Sequence, residues 1–369
     1  MALQSKACSP QMAENPIRFG ILGCATIAIK LSRAINRAPN ACLCAVASRS
    51  LEKARAFASD NGFPPNSRAY GAYQELLDDP HVDAVYIPLP TSFHIEWAVK
   101  AAKRKKHILL EKPAALNVAE LDVILGACED NGIQFMDGTM WMHHPRTAKM
   151  KELLVDSQRF GELKLVVSTA LLGTDPEFLK NDIRVKPNLD ALGSLGDVGW
   201  YCIRSILWAH DYKLPKSARA LPGPVINEAG VILECGASLF WEDGNIAVFQ
   251  CSFIGNTTMD VTVHGSKGTL KLRDFIIPFE EKSGSFEFGS EHAFNEFVSG
   301  WAVKPSTHSV MTDLPQEVLM VKEFSRLVAS IRDSKGNPDK KWPEITRKTQ
   351  RVLDAVKSSI VKGFETVEL

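Results

Sequence analysis

The stretch Ile17-Arg-Phe-Gly-Ile-Leu-Gly-Cys-Ala-Thr-Ile-Ala28 decides the fold. Ile17 to Leu22 is an apolar run that reads as a buried strand, Gly23 allows a tight turn, and a helical stretch continues to Arg37. Such a strand-turn-helix aims the unpaired N–H groups of the helix's first turn at whatever sits above it, which suits a pyrophosphate. The turn is poor in glycine: Ala25 and Ala28 stand where GxGxxG has its second and third. Gly23, Cys24, Ala25, Thr26 and Ile27 therefore read either as a phosphate cradle or as a plain small-residue turn, and the surrounding βαβ pattern favours the cradle.

A second apolar run, Leu43 to Ala47, leads through Ser48-Arg49-Ser50 into a helix from about Leu51 to Asn61. NAD-binding versions of this unit carry an Asp or Glu at the end of the second strand, where it bonds the ribose 2′-hydroxyl. Here Ser48 and Arg49 stand at that point, with Lys53 one helical turn on. A hydroxyl and two cations suit a 2′-phosphate, so NADP(H) is expected in preference to NAD(H). Arg49 and Lys53 also read as a solvated face, as charged pairs usually do.

The alternation continues through helix Tyr73 to Leu77, strand Ala84 to Ile87, helix His94 to Lys103, strand His107 to Leu110, helix Val118 to Asn131 and strand Gln134 to Met136. Strands separated by helices predict an α/β fold, a doubly wound parallel Rossmann sheet over 16–142, behind a polar segment 1–15 read as mobile. From about Lys164 the chain changes to alternating β runs: Lys164 to Leu172, Val231 to Trp241, Ala247 to Phe253, Met259 to His264 and Thr269 to Arg273. One helix, Gly193 to Ala209, interrupts them, which predicts an α+β domain over 143–311 with a large, mainly antiparallel open sheet. Helices Pro315 to Asp333 and Glu344 to Phe364 fill 312–369.

At 369 residues two domains, and so a cleft, are expected. Lys plus Arg (43) balance Asp plus Glu (43), and no basic face offers the counterion release on which nucleic-acid binders depend. No apolar run approaches the roughly 18 to 20 residues that span a bilayer, and Met1 to Asn15 lacks the pattern of a secretory signal. The expected location is cytoplasmic. The eight cysteines have no metal-ligand spacing and read as buried, reduced thiols. His143-His144 has no carboxylate or cysteine at matching spacing, so no metal is expected. Trp141, His143 and His144 after the sixth strand, and Arg184 ahead of the Gly193 helix, are candidate lining for a polyol pocket.

At Ile108-Leu-Leu-Glu-Lys-Pro113 a buried strand delivers Glu-Lys-Pro at its carboxyl end, where open α/β sheets bind ligands. With Pro88-Leu-Pro-Thr-Ser-Phe-His94 and Leu192-Gly-Ser-Leu-Gly-Asp-Val-Gly-Trp-Tyr201, this resembles the family of glucose-fructose oxidoreductase, inositol dehydrogenase and the rhizopine catabolism protein. The resemblance runs from Ile17 to the C-terminus and is greatest to a plant branch near dimeric dihydrodiol dehydrogenase and 1,5-anhydrofructose reductase. The last of these also has a glycine-poor turn ending in Thr-Ile-Ala, and its similarity again implies NADPH.

The resemblance implies that Lys112 lies at the nicotinamide end of the cleft, with Glu111 beside it and Asp197 and Tyr201 facing it from the second domain. It further implies that Leu89, Thr91, Ser92 and His94 border the cofactor, although His94 also reads as a helix cap. The i, i+4 spacing of Asp197 and Tyr201 puts both on one helix face. Many relatives carry His at the Tyr201 position. When hydride reaches a carbonyl carbon, the oxygen must receive a proton. A phenol with a pKa of about 10 gives one slowly at neutral pH, and a nearby ammonium lowers that pKa. Lys112 is thus expected to activate Tyr201 and polarise the substrate oxygen, while Asp197 orients the substrate or the lysine. Tyr201 also reads as core and Asp197 as a cap or buried pair.

The implied activity is hydride transfer between NADP(H) and a carbonyl or hydroxyl of a sugar, cyclitol or related small molecule. The alternatives are a redox glycosidase that retains its nucleotide and a non-catalytic dinucleotide-binding regulator. The resemblance also implies that the C-terminal helices return to the Rossmann domain and that a homodimer forms through the second domain's open sheet face.

Overall fold

The computed structural model describes residues 13–291, 300, 301 and 303–369. Segment 1–15 lies outside the described residues except for its last three. There Ala13 N donates to Pro39 O at 2.8 Å and Asn15 O accepts from Arg332 Nη2 at 2.9 Å.

The first half of the chain runs β1 (Ile17–Leu22), α1 (Thr26–Arg37), β2 (Ala41–Ala47), α2 (Leu51–Asp60), β3 (Arg68–Tyr70), α3 (Tyr73–Asp78) and β4 (Ala84–Ile87). It continues with α4 (His94–Lys103), β5 (His107–Leu110), α5 (Val118–Asn131) and β6 (Phe135–Asp137). The six strands form one sheet in the order β3-β2-β1-β4-β5-β6, with every pair parallel. The order reverses between β1 and β4, and this leaves a crevice beyond their carboxyl ends where no crossover covers the sheet. β4 is buried throughout, as expected of a central parallel strand with helices on both faces.

The second half runs α6 (Pro145–Leu154), β7 (Leu163–Leu171), α7 (Pro176–Asn181), α8 (Gly193–Ala209), β8 (Ser217–Ala220), β9 (Val225–Ile226), β10 (Ile232–Phe240) and β11 (Ile246–Ser252). Next come β12 (Thr258–Gly265), β13 (Gly268–Leu272), β14 (Ser283–Ser290), β15 (Ser306–Met311), α9 (Gln316–Ser334), α10 (Lys341–Val361) and β16 (Val367–Glu368). The large sheet runs β15-β14-β13-β12-β7-β11-β10-β8-β16, with β9 on β10. Its pairs are antiparallel except β7 with β11. α8 is not the sole helix among these strands: α7, with Pro at its first turn and Asp175 as its cap, precedes it.

α8 lies on β7, β10 and β11. All its residues are buried except Asp197 and Tyr201. Its start is jammed: Gly193 has φ +57°, and a Cβ there would sit 2.0 Å from Ile232 O, so no other residue fits. α9 packs on α1, β1 and β2, and α10 packs on α5, β6 and α8. α10 begins three residues before the expected Glu344 start and takes in Pro343, because a proline in the first turn forfeits no intrahelical bond. Of the seven described cysteines, Cys24, Cys42 and Cys44 are only half-buried, contrary to the expectation of a wholly buried set.

Candidate functional site

A cavity of about 650 Å³ opens over the carboxyl ends of β1, β2, β4 and β5 and reaches the exposed corner of α8. Its nucleotide-like end is built by the β1–α1 turn. Gly23 has φ +113°, and a Cβ there would meet Leu89 Cδ2 at 3.0 Å. Ala25 caps α1 without a side-chain hydrogen bond, and the first turn has no acid. The first N–H groups of α1 therefore keep their positive end open to an anion. Ser48 is buried and its Oγ accepts from Ser50 N at 3.4 Å, while Ser50 caps α2 through Lys53 N. Arg49 and Lys53 are exposed along the same cavity, and among the described residues neither is paired with a carboxylate.

At the other end β5 delivers Glu111, Lys112 and Pro113, with a cis peptide between the last two. Glu111 is buried and accepts from the Tyr86 hydroxyl and, at 3.1 Å, from Lys112 N. Burial pushes its carboxyl above the ordinary range. The Lys112 ammonium bonds the Asp197 carboxylate across the cleft. Arg184 Nε lies 3.2 Å from the same carboxylate, and its Nη1 lies 3.1 Å from Asp182. Burial disfavours both charges of the Lys112–Asp197 pair, yet attraction wins: the lysine is held above its ordinary pKa and the aspartate below its own.

Lys112 Nζ stands 4.8 Å from the centroid of the Tyr201 ring, and among the described residues the Tyr201 hydroxyl has no hydrogen-bond partner. Lys112 acts on the phenol in the expected direction, downward, but burial outweighs it and Tyr201 is pushed up to about 12. The tyrosine thus keeps its proton firmly, where the sequence led us to expect a lowered pKa.

A segment of the second half crosses the cleft. Thr91 N and Oγ1 both donate to Asp190 Oδ1 at 2.8 Å. Ser92 N donates to Leu189 O at 3.0 Å and Ser92 Oγ to Asn188 O at 3.1 Å.

Gly23, Cys24, Ala25, Thr26, Ile27, Ser48, Arg49, Lys53, Leu89, Thr91, Glu111, Lys112, Arg184, Asp197 and Tyr201 all line this one cavity. Five expected residues, Ser92, His94, Trp141, His143 and His144, do not. His94 is 1% exposed, with Nε2 2.8 Å from Leu89 O and Nδ1 3.2 Å from Ala114 O. It ties two site loops together from beneath. Trp141 lies edge-on between Trp208 and Phe275 in the core. His143 stacks on Trp342 at 4.7 Å, and burial lowers its pKa to about 4. His144 is buried, its Nδ1 accepting from Arg146 N. Among the described residues no group of three His, Cys, Asp or Glu is placed to hold a metal. Tyr73, Met140, Asp182 and Asp190 line the cavity without having been marked in the sequence. Asp190 meets Thr91 from 99 residues away, and no local pattern announces such a pairing.

Residues 17–139 match the family described as "Oxidoreductase family, NAD-binding Rossmann fold", and residues 147–271 match the "GFO/IDH/MocA C-terminal domain". The chain is 36% identical to the "Uncharacterized oxidoreductase ORF334" of Rhizobium meliloti over 95% of this chain and 99% of that one. It is 39% identical to "D-xylose 1-dehydrogenase (NADP(+)) 2" of Haloferax volcanii over 50% of this chain and 54% of that one. It shares the fold of the 3-ketoreductase KijD10 from Actinomadura kijaniata, solved with NADP and TDP-benzene, with a TM-score of 0.77, 23% identity and coverage of 93% and 98%.

Proposed function

The chain belongs to the GFO/IDH/MocA oxidoreductase family, and from this premise we propose that it is an NADP(H)-dependent reductase, or in reverse a dehydrogenase, of sugars, cyclitols or related small carbonyl compounds. The observation that carries this reading is one cavity with an anion-ready turn and two unpaired cations at one end and Lys112, Asp197 and Tyr201 at the other. In this reading 16–142 bind the nucleotide, 143–311 supply the substrate side and the 312–369 helices brace both. The similarity to an NADP(+)-dependent xylose dehydrogenase supports the choice of cofactor and substrate class.

The fit of the nucleotide rests on chemistry present in the chain. The open first turn of α1 suits a pyrophosphate, and Ser48, Arg49 and Lys53 offer a hydroxyl and two uncompensated cations to a 2′-phosphate. When bound, the nicotinamide supplies or accepts the hydride. Tyr201 donates its phenolic proton to the substrate oxygen as negative charge grows there, and Lys112 stabilises that charge. Asp197, itself held by Arg184, keeps the ammonium in place, so little reorganisation is needed as the charge develops.

The proposal includes a cytoplasmic location and a homodimer through the open face of the large sheet. A monomeric mass in solution at micromolar concentration overturns the latter. The central test is fluorescence titration of nucleotide-free protein with NADPH and NADH, followed by a carbonyl screen. Tighter NADPH binding with oxidation by a sugar-like carbonyl is expected; NADH preference overturns the cofactor, and no binding overturns the enzyme.

A further inference from the structure

The two ends of the cavity are charged in opposite ways. At the nucleotide end Arg49 and Lys53 have no carboxylate partner among the described residues. At the Tyr201 end the lining cations are Lys112 and Arg184, and both are already engaged: Lys112 by Asp197, Arg184 by Asp197 and Asp182. Asp190 brings a third carboxylate to the same wall and Glu111, engaged by the Tyr86 hydroxyl, a fourth acid, so two cations face four acidic side chains there. Asp182 and Asp190 use only Oδ1, the former on Arg184 and the latter on Thr91. Their Oδ2 atoms have no partner among the described residues, and the Tyr201 hydroxyl is unpartnered as well.

Free carboxylate oxygens accept hydrogen bonds from hydroxyl groups and repel phosphate or carboxylate. An anionic ligand at this end would have to break the Lys112–Asp197–Arg184 arrangement to find a cation, leaving a half-buried carboxylate without its partner. A neutral polyol loses nothing of that arrangement and satisfies the free acceptors.

We propose that the substrate is an uncharged polyhydroxylated carbonyl compound or the corresponding alcohol, a free sugar or cyclitol, and that Asp182, Asp190 and Asp197 select it against phosphate esters, sugar acids and nucleotide-linked sugars. This rests on the oxidoreductase reading of the cavity and narrows its substrate class. It sets this chain apart from KijD10, whose structure holds TDP-benzene.

The test uses full-length protein loaded with NADPH and a panel of free aldoses, ketoses and cyclitols, each paired with its phosphate ester, together with TDP-glucose. Turnover is read from nucleotide absorbance, and binding is read separately from the change in bound-nucleotide fluorescence. The neutral member of a pair is expected to win by at least about tenfold in both kcat/KM and binding. Asp182→Asn, which keeps the Oδ1 acceptor for Arg184 N, should narrow that preference several-fold without altering NADPH affinity. Equal or better performance of charged members, or an unchanged ratio in Asp182→Asn, overturns the proposal while leaving the oxidoreductase reading intact. Neutral ligands that bind selectively but never turn over sustain the proposal and overturn that reading. Binding by no member of the panel overturns the proposal.

Discussion

Arg204 Nη2 of α8 lies 2.8 Å from Asp137 Oδ2 at the end of β6, and neither side chain has any exposed surface. The same Asp137 oxygen accepts from Thr346 of α10, Arg204 Nε donates to Thr349 at 2.7 Å, and Trp200 Nε1 reaches Thr139 at 3.0 Å. Asp197, Tyr201 and Arg204 follow one another at i, i+4 and i+7, on one stripe of the helix. The bond to Asp137 therefore fixes the rotation of α8 against the parallel sheet, and with it the direction in which Asp197 and Tyr201 face Lys112.

Replacing Arg204 with Met should cost about 3–5 kcal/mol, because Asp137 is left charged and buried without its cation. Urea denaturation of wild type, Arg204→Met, Asp137→Asn and the double variant checks this. The double variant should be less destabilised than the sum of the singles, since its second change removes the stranded charge. Additive losses would mean that the two groups do not act as a pair.

Tyr201→Phe and Lys112→Met should keep nucleotide affinity close to wild type and lower turnover by about a hundredfold or more. The sign of the pH dependence follows from the phenol held at about 12. Carbonyl reduction, which needs the proton present, should be flat from neutral pH up to about pH 10. Alcohol oxidation, which needs it absent, should rise with pH over the same range. Tyr201→Phe should abolish that rise, and a rise that survives in the variant assigns the proton to another group.

His143 gives a second pH test, away from the site. Burial holds its folded pKa at about 4, below the ordinary 6.5. Between these values the unfolded chain binds a proton that the folded protein refuses. The stabilising effect of a neutral His143 is thus complete above about pH 6.5 and is lost as pH falls toward about 4, by up to ~1.4 kcal/mol per pH unit. His143→Phe keeps a ring on Trp342 and should flatten the acid limb of urea-measured stability while leaving turnover unchanged. A drop in turnover would return His143 to the site.

Arg49→Ala should weaken NADPH binding by about 10- to 100-fold and leave NADH nearly unaffected, since a charge-assisted contact to a 2′-phosphate contributes about 1.5–3 kcal/mol. Parallel titration with the two nucleotides decides it; equal losses for both would place Arg49 on a part that they share.

The elements around the cavity were legible because each carries a local signal. Ile17–Leu22 ends in Gly23, β5 ends in Glu111-Lys112-Pro113, and α8 presents Asp197 and Tyr201 one turn apart. What stayed hidden depends on contacts distant in sequence. Asp190 acquires its partner only when the 182–192 segment crosses to Thr91, and Asp182 enters only through Arg184. Trp141 and His143 looked like pocket lining because they follow a strand's carboxyl end. The short helical turn Met140–His143 directs them into the core instead, and only Met140 reaches the cavity. Tyr201's pKa was misjudged because a sequence shows the ammonium's neighbourhood but not the degree of burial that opposes it.

The bonds between Thr91 and Asp190 bear on how the nucleotide leaves. Thr91 is 1% exposed, and both its N–H and its hydroxyl end on one carboxylate oxygen from the opposite side of the cleft. Pro90 and Leu89, just before it, line the cavity, so the crossing segment would border a nucleotide bound along that wall. Under the proposed function, release would break those two bonds, and with them the pair that Ser92 makes to Leu189 and Asn188. Thr91→Val removes only the hydroxyl and should speed NADPH dissociation by about 5- to 10-fold, the equivalent of one hydrogen bond of about 1 kcal/mol or a little more. Asp190→Ala removes the acceptor for both donors and should act more strongly. Displacement of bound NADPH by excess NADP+ in a stopped-flow instrument gives the rate directly. If both variants release nucleotide at the wild-type rate, the crossing segment opens freely in the native protein and the step that limits release lies elsewhere.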